Sequence, residues 1–189
     1  AQKKFLDRMV QSRQTAALVT DDLGDLVSGI DGDDPINQAK MIVALIQVNV
    51  APVFTMGIPF GGDNHQDNDL SDEVQETTKA MEYITTLWDE IKKARLQERV
   101  VVTSLNPFGR TLLRNGRGGR DHNGLHHGMF VFGSSIKPGI VGGLEPVRSG
   151  STITEFKATA INANTGASKN PNIPFEQTLV AVGKTLAKS

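Results

Sequence analysis

The six residues RVVVTS, Arg99 to Ser104, decide how the rest of the chain is read. Three consecutive valines, with no polar alternation, have the character of a strand covered on both faces, as central strands of parallel sheets are. Working upstream, VAPVFTM (Val50 to Met56) has the same character. Between the two lies a long helical stretch opened by Ser71 with Asp72 and Glu73 and ending near Arg95. Its stripe is Val74, Thr77, Met81, Ile84, Trp88 and Ile91. Strand, helix, strand makes a βαβ unit with a right-handed crossover. The expected fold class is therefore α/β, a mainly parallel sheet with helices on both faces.

The flanks extend this pattern. Asp34 before Pro35 is an N-cap and first-turn pair, opening a helix whose face is Ile36, Ala39, Val43 and Ile46. The segment Lys3 to Ser28 reads as helical. Downstream, GMFVFG reads as a strand, GIVGGL and TITEFKATAI as short extended pieces, and NANTGASKNPN as a loop. Pro174 to Lys188 reads as a closing helix with Phe175, Leu179, Val182 and Leu186 inward. With no internal repeat, residues 1–189 are read as a single domain.

Composition narrows the function classes. With 38% hydrophobic and 22% charged residues, the chain has the mix of a globular domain with a core. Its net charge of -1 gives no overall field to recruit nucleic acid or an anionic membrane. The absence of cysteine removes disulfides, thiolate metal sites and thiol nucleophiles, so metal chemistry must use imidazole and carboxylate. No run approaches the ~20 apolar residues of a membrane span. The opening AQKKFLDRMV lacks a signal-peptide core, as expected of a mature, processed or truncated chain.

All four histidines fall in two glycine loops. GGDNHQDND carries Asp63 and His65, and GGRDHNGLHHG carries Asp121, His122, His126 and His127. In an open parallel sheet such loops lie beyond the carboxyl ends of the strands, where ligands bind. Asp-x-His in one and Asp-His in the other meet the ligand chemistry of a zinc-like or other divalent site. The same residues also serve as turn formers and exposed donors in polar loops. Of the tandem His126-His127, only one can face a shared site from an extended segment. Arg110, Arg114, Arg117 and Arg120 in FGRTLLRNGRGGR could hold a phosphate or sulfate group, or form a solvated loop. With Phe108 the only aromatic there, no stacking platform for nucleic acid accompanies them.

The run FGRTLLRNGRGGRDHNGLHHGMFVFGSSIKPGIVGGL resembles the C-terminal block of bacterial proteins of the DUF1501 family, a family of the alkaline phosphatase and sulfatase clan. The upstream Asp63-Asn64-His65, the helix from Asp72, RVVVTS and IPFEQTLVAVGKTLA resemble the family in the same order, from about Pro35 to the C-terminus. The resemblance implies an alkaline phosphatase-like fold, present as the C-terminal half of an incomplete domain. It implies Asp63, His65 and His122 as metal ligands, with Asp121 a ligand or an acceptor that orients an imidazole. His126 and His127 are candidates for the surroundings of that site, and Arg110, Arg117 and Arg120 for anion binding. Two features depart from the family pattern. Leu105-Asn106-Pro107 stands where an acidic residue usually precedes Phe-Gly-Arg-Thr, and the half that supplies further strands and the nucleophile is not represented.

The expected function is that of an exported, periplasmic or secreted hydrolase-like protein using zinc, calcium or manganese on phosphate or sulfate esters. The alternative is a non-catalytic envelope or assembly protein with a degenerate metal site. Expected partners are the N-terminal half of the same domain or identical subunits, with no membrane span and no nucleic acid. No nucleophile is assigned.

Overall fold

The computed structural model describes residues 3–4, 6–7, 9–10, 23–106 and 108–187. The chain divides into two compact units, Ala1–Gly62 with Val74–Val100, and Asp63–Glu73 with Val101–Ser189.

The first unit is helical. Residues 3–4, 6–7, 9–10 and 23–27 are helical within the span expected as one helix, Ser28 is in a turn, and residues 5, 8 and 11–22 of that span, with Phe5, Leu18 and Val19, lie outside the described residues. Helix α1, Pro35–Gln47, starts as its sequence dictates: Asp34 Oδ1 accepts the backbone N–H of Ile36 at 2.9 Å and of Asn37 at 3.2 Å, with Pro35 in the first turn. These bonds, the Asn37 contact foremost, hold the Asp34 carboxyl below its usual range. The buried face is Ala39, Val43 and Ala44, whereas Ile36 is exposed. Helix α2, Ser71–Lys93, buries Ala80, Ile84, Leu87 and Ile91, while Val74 and Met81 of the expected stripe face solvent. The chain turns away just beyond it at Arg95, which takes a left-handed φ of 58°.

VAPVFTM is not a strand. Val50 and Val53 are exposed and the segment pairs with nothing in a sheet. Pro52, with no N–H to give, suits such an unpaired segment better than a central ladder. Of RVVVTS only Val102–Thr103 becomes a strand, β1, and its partner is β4, Val131–Phe132, running antiparallel. The remaining pairs are also antiparallel: β2, Gly109–Arg110, with β3, His122–Asn123, and β5, Leu144–Ser149, with β6, Thr152–Ala158. The expected parallel sheet flanked by helices, and with it the alkaline phosphatase-like architecture, is thus not what the chain forms. Among the described residues every sheet has two strands and none is parallel. The reason lies in β1, whose β-branched residues favour extended backbone without specifying the direction of the partner.

The second unit is organised around the β5–β6 hairpin, which turns through Gly150 at φ 61° and carries a bulge between Val147 and Arg148. Ala158 N–H donates to Leu125 O at 2.9 Å, and Asn123 Nδ2 donates to Phe156 O at 3.2 Å. Glu155 Oε1 accepts the Leu112 N–H at 3.1 Å. The hairpin therefore braces the β2–β3 pair, from which the histidine-bearing connection hangs. Helix α3, Phe175–Leu186, closes the chain. It buries none of its residues fully, and Leu179, expected inward, is exposed. No described helix is long and apolar enough to cross a membrane.

Candidate functional site

The two histidine loops meet within the second unit. The first, Asp63–Leu70, ends in the cap of α2. Asp69 Oδ1 accepts the Ser71 N–H at 3.1 Å, and Asp67 Oδ2 accepts the Glu73 N–H at 3.0 Å. The capping expected of Ser71 thus falls to two aspartates before it. Glu73 then turns back. Its Oε2 accepts Asn64 Nδ2, and its Oε1 pairs with Arg120 Nη2 at 3.0 Å. The Arg120 N–H donates to Asn64 O at 3.0 Å, so the second loop is fastened to the first by backbone as well as charge. The approach is close enough that a Cβ on Gly119 would collide with the backbone of Asn64 and His65.

On this base stands His65. Its Nδ1 lies 3.0 Å from Asp121 Oδ1. Its Nε2 lies 3.3 Å from Arg110 Nη1 and 4.0 Å from Asp63 Oδ1. A guanidinium only donates, so in the neutral ring Nε2 is the acceptor and Nδ1–H donates to Asp121. The imidazole is therefore held by a carboxylate on one nitrogen and presents a lone pair on the other, the arrangement found in metal-binding and base histidines. Asp121 is fixed in turn. Its N–H donates to Thr111 Oγ1 at 3.0 Å, and its carbonyl accepts the Thr111 N–H at 2.9 Å. Its carboxyl sits below the usual range, first because of the Asn115 amide, then because of His65.

His122 faces the same place. Its ring lies 4.9 Å from that of His65 and stacks on Phe108 at 3.7 Å, and Arg110 lies 5.2 Å over the other ring of that stack, Phe108. Of the residues expected as ligands, Asp63, His65, Asp121 and His122 are thus brought together, with Asp63 and His122 exposed. The tandem pair does not join this group. His126 is buried with Nε2 unpartnered, and neither it nor His127 is joined to His65 or Asp121 by a hydrogen bond or ring contact. Burial is the main cause that pushes the His126 ring below its ordinary range. The arginines are spread over separate tasks rather than gathered into one anion cradle. Arg110 faces His65, Arg114 donates to Asn68 O, Arg120 pairs with Glu73, and Arg117 is exposed.

The donor chemistry of His65 Nε2, His122 and Asp63 fits a divalent cation, although no three such groups among the described residues are arranged to hold one as they stand. In addition, Arg110 Nη1 lies 3.3 Å from the Nε2 whose lone pair a cation would need. Asn64, Glu73 and Asn115 were not expected at the site. Asn115-Gly116 reads locally as a turn, and Glu73 as a first-turn helix acid, so neither carries a local sign of its long-range bond.

In comparison with known proteins, the family model described as "Protein of unknown function (DUF1501)" matches residues 38–171, more than two thirds of the chain. No curated protein and no solved structure matches it.

Proposed function

The chain belongs to the DUF1501 family, and we propose that it is a divalent-metal-dependent hydrolase-like protein acting on phosphate or sulfate esters, with the chemistry of the alkaline phosphatase and sulfatase clan but not its sheet. The observation that carries this reading is the Asp121–His65 pair, which leaves the Nε2 lone pair directed toward Arg110 and Asp63. His65, His122 and Asp63 are the residues that would hold a zinc, calcium or manganese ion, with Asp121 orienting the ring. Bound there, the ion would supply Lewis-acid polarisation of an ester oxygen. Arg110, once its guanidinium leaves Nε2, would make a charge-assisted pair with a non-bridging oxygen of the same anionic group. No hydroxyl of the site is assigned as nucleophile.

Partners and location belong to the same proposal. Ile140 at 92% and Val141 at 67% exposure are apolar residues whose cover would come from a further segment of the same domain or from identical subunits. A periplasmic or secreted location follows from the family resemblance. A second reading, a non-catalytic envelope or assembly protein, is favoured by Leu105-Asn106-Pro107, neutral residues where the family resemblance implies an acid before Phe108. Of these, Asn106 Nδ2 donates to Gly128 O at 2.5 Å.

Hydrolysis of aryl phosphate and aryl sulfate monoesters with added zinc, calcium or manganese separates the two. Turnover abolished by His65→Ala supports the hydrolase. Metal binding without turnover, in the chain alone and with its partner restored, supports the second reading.

A further inference from the structure

We propose that Asn115 is the positioning residue of the His65–Asp121 pair, a side chain that bonds both partners at once. Its Nδ2 donates to Asp121 Oδ1 at 2.9 Å and to His65 O at 3.1 Å, using both amide hydrogens on the two loops. Its Oδ1 accepts the Arg117 N–H at 2.8 Å, which settles which end of the amide is nitrogen. The residue is itself held in a tight turn. Its N–H donates to Gly119 O at 2.8 Å, and its carbonyl accepts the Gly118 N–H at 3.1 Å.

The consequence follows from where the bonds meet. Asp121 Oδ1 receives the Asn115 amide and His65 Nδ1 together, so the amide fixes the carboxylate oxygen that fixes the imidazole. The second amide hydrogen holds the His65 backbone in place, so ring and carboxylate cannot drift apart. A leucine at this position keeps the shape but offers no donor. An aspartate offers oxygen where two oxygens already face it, and a serine can satisfy at most one of the two.

The test reads the ring of His65 rather than activity. Long-range proton–nitrogen NMR on the intact chain at neutral pH reports which ring nitrogen carries the proton, alongside the thermal midpoint of each variant. The wild-type ring is expected as the Nδ1–H form. Asn115→Leu and Asn115→Asp are expected to give a mixture of both forms. Should Asn115→Leu not fold, Asn115→Ser decides by the same readout. Arg114→Ala removes another tie between the loops, the bond to Asn68 O, and is expected to leave the ring unchanged. An unaltered His65 ring in the folded Asn115 variants overturns the proposal, as does an equal change in Arg114→Ala.

The link to metal rests on the proposed function. There, Asn115→Leu is expected to weaken zinc binding by tenfold or more, about the loss that outer partners of ligating histidines cause. A wild-type chain that binds no metal overturns the hydrolase reading, while the ring measurement still decides the role of Asn115.

Discussion

Replacing Glu73 by alanine removes the fastening between the two histidine loops, and its cost can be worked from the contacts. The Glu73–Arg120 pair at 3.0 Å has both side chains 22% exposed, so it lies at the upper end of surface pairs, about 1 kcal/mol. Asn64 is 1% exposed, and losing the Glu73 acceptor leaves its amide donor buried and unpaired, a further ~1–2 kcal/mol. The expected destabilisation is therefore about 2–3 kcal/mol. Urea unfolding of Glu73→Ala, Arg120→Ala and the double variant measures both the total and the coupling. Glu73→Gln retains an acceptor for Asn64 and should recover roughly half of the loss. A Glu73→Ala chain within about 0.5 kcal/mol of wild type, an ordinary surface substitution, would show that Glu73 does not fasten the loops, as would strict additivity with Arg120→Ala.

Further outcomes follow from the same geometry. Gly119→Ala should cost roughly 1–3 kcal/mol and shift the His65 resonances, because the added methyl meets the Asn64 and His65 backbone, and unfolding with NMR checks both. His126 has its pKa lowered by burial, so below its ordinary 6.5 the unfolded chain binds more protons than the folded one. Its stabilising contribution is complete above that pH and is lost as pH falls toward the folded value. Unfolding curves between pH 7 and 5 should accordingly decline less steeply in His126→Gln than in wild type. Arg110→Met removes the cation from His65 Nε2 and should tighten zinc binding by about tenfold or more, read by calorimetry.

The parts of this structure legible in the sequence are those fixed by near neighbours. Asp34-Pro35 specifies its cap within three residues, and the pairing of Asp with His in two glycine loops pointed to the side chains that now surround His65. Strand pairing is a long-range property. The valines of RVVVTS favour an extended backbone, but the choice of an antiparallel partner at Val131–Phe132 is made across the fold. The buried stripe of α2 was displaced because Ala80 and Leu87 turn inward where Met81 and Trp88 had the greater apolar weight. Asn115 was illegible for the same reason as the strands, since a turn-forming asparagine looks alike whether or not its side chain spans to another loop.

The most direct test of the central claim is calorimetric titration of the purified chain with zinc and manganese, in wild type and in His65→Ala. One cation per chain is expected in wild type and none in His65→Ala, with loss of the Arg110 contact to Nε2 on loading. An absence of binding in wild type, or the same affinity in His65→Ala, would contradict that claim.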